Sequence, residues 1–148
     1  MPRNGALLPL SREHHTSLVI ARAARKAAES NDVATCVAAV QRIEAHWQNV
    51  LVTHFAQEEA LLQLAQDALD TGIIARILAD HEELRMLACE SYALDPATRL
   101  RQFGDLLAAH VRYEERVLFP QLQSHPAIVF ATEESTQSIQ RGKNGEFS

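Results

Sequence analysis

Apolar positions along the 148-residue chain recur at intervals of three and four in four stretches, the spacing that lines one face of an α-helix. The first stretch runs from about Ser11 to Glu29, with Leu18, Ala21, Ala24 and Ala28 on one face and Arg22, Arg25, Lys26 and Glu29 on another. Ser30-Asn31-Asp32 interrupts it, and Asn31 or Asp32 can cap the helix that follows. The second stretch runs from about Val33 to Leu69, with Val37, Val40, Ile43 or Glu44, Trp47, Val50, Leu51, Leu61 and Leu62 in helical register. After a break at Asp70-Thr71-Gly72, a third stretch from about Ile73 to Tyr92 carries Ile74, Ile77, Leu78, Leu84, Leu87 and Ala88 as a stripe. Asp95-Pro96 is a start signal, because Asp can cap and Pro suits the first helical position. The fourth stretch runs from about Ala97 to Gln123 and is expected to bend or end near Pro120.

Four helices joined by short connections predict antiparallel neighbours, hence an all-α, antiparallel four-helix bundle over residues 1–123. Residues 124–148 show no sustained period and are expected to form a short C-terminal appendage, with Ala127 to Phe130 packing and Arg141 to Ser148 a disordered tail. Composition points the same way, since only five Gly and five Pro accompany abundant Ala, Leu, Glu, Gln and Arg.

A net charge of -5 argues against nucleic acid as a partner, because binders of phosphate backbones present basic surfaces. The basic group Arg22, Arg25 and Lys26 reads as a solvated helix face. Cys36 and Cys89 form no CxxC pair and are expected to be reduced, half-buried thiols. The first ten residues, MPRNGALLPL, lack the apolar run of about 7–15 residues that a signal peptide needs. No run of roughly 18 apolar residues predicts a membrane span, and the expected location is the cytoplasm.

The chemistry lies in an internal repeat. His54-Phe-Ala-Gln-Glu58-Glu59-Ala-Leu-Leu62 in the second stretch matches His110-Val-Arg-Tyr-Glu114-Glu115-Arg-Val-Leu118 in the fourth, each an HxxxEExxL segment. A separation of four puts His and Glu on one helix face a turn apart, where both can reach one ion or two adjacent ions. Val50, Leu51, Leu61 and Leu62 flank the first pair and Leu106, Leu107, Val117 and Leu118 the second, so both pairs are expected to face the core. Buried imidazoles and carboxylates are costly unless paired or bound to metal.

The other two stretches each add a histidine, in Glu13-His14 and Asp80-His81. His81 falls within the stripe of Ile74, Ile77, Leu78 and Leu84. His14 shares a face with Leu18, Ala21 and Ala28 whereas His15 leads to Arg22 and Glu29, so His14 is the expected inward residue, with His15 its alternative. The candidate metal ligands are therefore His14, His54, Glu58, His81, His110 and Glu114, with Glu115 competing with Glu114 for its place. Glu59 and Glu115, one residue off the ligand face, are expected to be solvated or to support the ligands. Four imidazoles and two carboxylates able to bridge suit a pair of Fe, Mn or Zn ions. His46 and His125 have no partner at helical spacing and are expected to be structural or exposed. Trp47, Phe55, Phe103 and Phe119 are expected in the core, and Tyr113 is placed to line the pocket.

These six residues, with their surroundings LSREHH, HFAQEE, ADHEELR and HVRYEERVLFP, resemble the hemerythrin-like (HHE cation-binding) family over about residues 7 to 123. The resemblance implies an up-down-up-down bundle around an oxo- or hydroxo-bridged di-iron centre. Oxygen-carrying hemerythrins place two histidines four apart on the third helix, whereas the positions four before and four after His81 are Ile77 and Arg85. The missing fifth histidine implies an exchangeable coordination position. It favours a protein that binds or senses oxygen, nitric oxide or peroxide, or handles iron, over a plain oxygen carrier. The alternative is a di-iron oxidoreductase consuming peroxide or a nitrogen oxide.

Overall fold

A computed structural model of the chain describes residues 5–128. The expected packing of Val129 and Phe130 and the expected disordered tail lie outside the described residues. Among the described residues the chain is all-helical, with no strand.

Helix α1 spans Leu7–Ala28. It begins four residues before the apolar period becomes visible, because Pro9 sits in its first turn, where a missing N–H costs no intrahelical bond. Asn31 takes a left-handed conformation (φ 55°) in the turn that follows, and Asp32 caps α2 (Val33–His46) by accepting from the Thr35 N–H. The long second stretch continues through a π-helical turn, Trp47–Leu51, into α3 (Val52–Leu64), and so stops short of the expected Leu69. Asp70 caps α4 (Thr71–Cys89), and Asp95 with Pro96 starts α5 (Pro96–Tyr113). A second π-helical turn, Glu114–Leu118, leads into α6 (Phe119–Ser124). The helix thus runs past Pro120. In an unbroken α-helix this residue's missing N–H would deprive the Arg116 carbonyl of its partner, and the wider turn lies at that carbonyl.

Helix α1 packs most extensively on α5, where Ala21 meets Gly104, and Ala24 and Ala108 are buried in the same core. A Cβ on Gly104 would lie 2.7 Å from the Ala21 carbonyl oxygen, so the two backbones approach closer than any other residue allows. Paired contacts run in opposite order along α1 and along α5 with its π-turn, with Ala21 at Gly104, His14 at Glu114 and Ser11 at Glu115. They do so too between α4 and α5, where Arg99 donates to the Leu87 and Ala88 carbonyls and Asp80 meets His110.

The core falls into two apolar clusters. One holds Ile20, Ile43, Trp47, Leu51, Phe55, Leu84, Leu100, Phe103 and Leu107; the other holds Leu7, Leu10, Leu61, Leu62, Ile77, Leu118, Phe119, Leu122 and Ile128. Val37 and Leu78, placed by periodicity on the inner stripes, are instead exposed. Cys36 is buried, donating to the Ala27 carbonyl, and Cys89 is half-buried; both are free thiols. No described helix is long and apolar enough to cross a membrane.

Candidate metal centre

Between the two apolar clusters the helices contribute a polar layer. Along α1, α3, α4 and α5 with its π-turn the chain passes from one cluster to the other through an ionisable residue: His14 between Leu10 and Ile20, Glu58 between Phe55 and Leu61, His81 between Ile77 and Leu84, Glu114 between Val111 and Leu118. All six sequence candidates are at most 5% exposed. His15 is exposed.

The six form two groups that share their carboxylates. His14, His54, Glu58 and Glu114 offer ligand atoms within 4.8 Å of one another, and so do Glu58, His81, His110 and Glu114. In each case Nε2 faces the carboxylates. His54 Nε2 lies 2.7 Å and His81 Nε2 3.7 Å from Glu58, while His14 Nε2 lies 2.9 Å and His110 Nε2 3.1 Å from Glu114. Both Glu58 oxygens, one Glu114 oxygen, and Nε2 of His81 and of His110 are buried without a hydrogen-bond partner. Such orphaned atoms are costly in a folded interior unless something else satisfies them. Imidazole nitrogens and carboxylate oxygens converging in this way fit a pair of ions.

Burial and mutual contact drive the ionisable groups of the layer in opposite directions. Burial, reinforced by the Glu114 carboxylate, pushes Glu58 well above the usual carboxylate range. Burial would raise Glu114 too, but contacts with Glu58, His110 and His14 hold it well below that range. Burial would lower His110, yet Glu114 and Asp80 outweigh it and lift it to about 9. His14 is likewise raised against its burial by Glu114 and Glu115. His54 is lowered by burial and by His14, and His81 falls to about 3 through burial and His110. Neighbouring groups of one type driven apart in this way mark sites built for a ligand or for chemistry.

The family described as Hemerythrin HHE cation binding domain matches residues 9–122. The chain belongs to the hemerythrin HHE cation-binding family. Comparisons with curated proteins and with solved structures find no match.

In this hemerythrin-family chain Glu114, not Glu115, points into the layer. Glu115 accepts from the Ser11 hydroxyl and lies 3.4 Å from His14 Nδ1. Glu59 is exposed, 4.0 Å from His81 Nδ1. Phe55 stacks on His81 at 3.9 Å and Phe119 on His14 at 5.0 Å, so two residues expected simply in the core also wall the polar layer. Tyr113, placed by the sequence at the pocket, lies under the Arg76 guanidinium (3.7 Å) against the second apolar cluster.

Three residues at the site escaped the reading of the sequence. Glu13 and Asp80 each approach an imidazole Nδ1 at 3.0 Å, on His54 and His110 respectively. Their signal was the repeated acid-His dipeptide. Ser17 hydrogen-bonds buried His46 at 2.9 Å. Ser17 and Glu13 are four apart on α1, whereas His46 and His54 are eight apart on their helix. The π-turn between them brings eight residues close to two full turns and so keeps both imidazoles on the α1 side.

Proposed function

We propose that this chain is a non-haem di-iron protein that binds or senses a small ligand, oxygen, nitric oxide or peroxide, within an up-down-up-down four-helix bundle. His14 and His54 would hold one ion, His81 and His110 the other, and Glu58 and Glu114 would bridge them. The observation that carries the reading is the sharing of these two buried, partly orphaned carboxylates by two histidine pairs. An iron pair bound there supplies redox and Lewis-acid chemistry toward such ligands. Each ion would receive two imidazoles and two shared carboxylates, which leaves coordination positions for a small molecule.

The chain's own residues support that role. Ile77, buried a turn before His81, offers no donor, and Arg85, a turn after it, is held outward by Glu82 and Glu90. No further ligand therefore fills the His81 side from α4. Phe55 and Phe119 cover the imidazoles, and the two apolar clusters keep bulk water from the layer.

Metal analysis and the absorption spectrum of protein purified without added metal test this proposal. Two irons per chain with an oxo-bridge charge-transfer band are expected, whereas zinc, which has no redox chemistry, would replace the redox reading. Ferrous protein mixed with oxygen then separates binding from turnover. A persistent adduct supports binding or sensing, and fast oxidation with steady peroxide consumption supports an oxidoreductase.

A further inference from the structure

Glu13 and Asp80 each precede an inward histidine in the chain, and each reaches across to a different imidazole. Glu13 on α1 lies 3.0 Å from Nδ1 of His54 on α3, and Asp80 on α4 lies 3.0 Å from Nδ1 of His110 on α5. In both cases the imidazole reached belongs to the same group of four as the histidine beside the acid. Glu13 serves the group of His14 and His54; Asp80 serves that of His81 and His110. At the remaining two imidazoles the acids stand farther off. Glu115 and Glu59 stand 3.4 and 4.0 Å from Nδ1 of His14 and His81.

A carboxylate on Nδ1 makes that nitrogen the donor, which leaves the Nε2 lone pair free for an ion and fixes the plane of the ring. Nε2 of His54 and of His110 does face the shared carboxylates, at 2.7 Å from Glu58 and 3.1 Å from Glu114. We propose that Glu13 and Asp80 are positioning residues, one for each ion, which orient His54 and His110 and thereby set the metal affinity of one half of the centre each. This rests on the metal-pair reading above. The acid-His dipeptide thus serves one ion twice, its histidine as a ligand and its acid through the opposite imidazole.

A purely structural tie between helices would act differently. The side chains of Glu13 and Asp80 are 36% and 17% exposed, but the imidazoles they meet are 1% exposed, so removing either acid leaves a buried Nδ1–H without its acceptor. Loss of a mere tie would loosen both ions together or neither.

Titration of the full chain with Co²⁺, followed by calorimetry and by the visible cobalt bands, separates the two cases. The wild-type chain is expected to take up two ions. Glu13→Ala should weaken one of them by roughly 10–100-fold and leave the other nearly unchanged. Asp80→Ala should do the same, and the double variant should weaken both, showing that the two acids serve different ions. Glu13→Gln and Asp80→Asn, whose amide oxygen accepts the same N–H, should recover most of the affinity. In proton spectra of the Co²⁺ protein each alanine variant should shift or lose a different exchangeable imidazole N–H resonance. Equal weakening of both ions by one alanine change, no weakening, or amide variants no better than alanine would overturn the positioning role. A wild-type chain that takes up no Co²⁺ pair would overturn the metal reading itself, and this inference with it.

Discussion

His110 offers a sharp test of the electrostatics of the metal-free protein. Its imidazole is buried against Glu114 at 3.1 Å and Asp80 at 3.0 Å, and the two carboxylates hold its proton up to about pH 9, against 6.5 for an ordinary histidine. Between those two values the folded metal-free chain keeps a proton that the unfolded chain releases. The stability this group contributes is therefore full below pH 6.5 and lost as pH rises through about 9. At 1.36 kcal/mol per pH unit, the interval corresponds to about 3 kcal/mol. For a domain of this length each kcal/mol moves the melting temperature by about 2–4 °C, so a fall of roughly 6–12 °C is expected. The assay is scanning calorimetry of chelator-treated protein from pH 6 to 10 at constant ionic strength, with His110→Gln alongside. The variant should start lower and lose less over this range, and the two curves should converge near pH 10. Parallel curves would refute the argument, because they would mean that Glu114 and Asp80 do not hold the proton. Metal binding needs the neutral imidazole, so metal affinity should rise with pH across the same window.

Four further outcomes are expected. Glu58→Ala and Glu114→Ala should each cut the metal-to-protein ratio to below half, since each carboxylate belongs to both groups of four, whereas Glu59→Ala and Glu115→Ala should keep most of it. By the same measurement His14→Ala should lose metal and His15→Ala should not, because His15 faces solvent. Chelation should lower the melting temperature, since free ion at a hundred times its Kd stabilises by about 2.7 kcal/mol per site, and identical melting of loaded and stripped protein would place no metal in the fold. Gly104→Ala should destabilise by roughly 1–3 kcal/mol in urea unfolding, because the new methyl meets the Ala21 carbonyl oxygen at 2.7 Å. The gain of about 1 kcal/mol in helix propensity does not offset that contact, and an unchanged midpoint would show that α1 and α5 can part without cost.

Much about this chain is local and could be read in order along it. Asp32, Asp70 and Asp95 cap helices through N–H groups two or three residues on, so starts and stops follow from neighbouring residues alone. The inward direction of His14, His54, Glu58, His81, His110 and Glu114 is also a one-helix property, since each shares its face with apolar residues at three- and four-residue spacing. The choice of His14 over His15 and of Glu114 over Glu115 as the more deeply buried residue is legible for the same reason.

What depends on how helices pack could not be read that way. The π-turn at Trp47–Leu51 chooses one backbone hydrogen bond over another, and that choice keeps His46 and His54 both on the side of α1. Leu78 and Val37 keep the period of the core but are exposed among the described residues. The pairing of His14 with Glu114, 100 residues away, needs the close approach of α1 and α5 that Gly104 permits. Which nitrogen of each ring faces the shared carboxylates, and that Glu13 and Asp80 sit behind two of the four rings, follow from the rotation of one helix against another. A helical period specifies a face to within part of a turn, while a hydrogen bond between rings and carboxylates on different helices is decided within a fraction of an ångström. That last alignment belongs to tertiary packing alone.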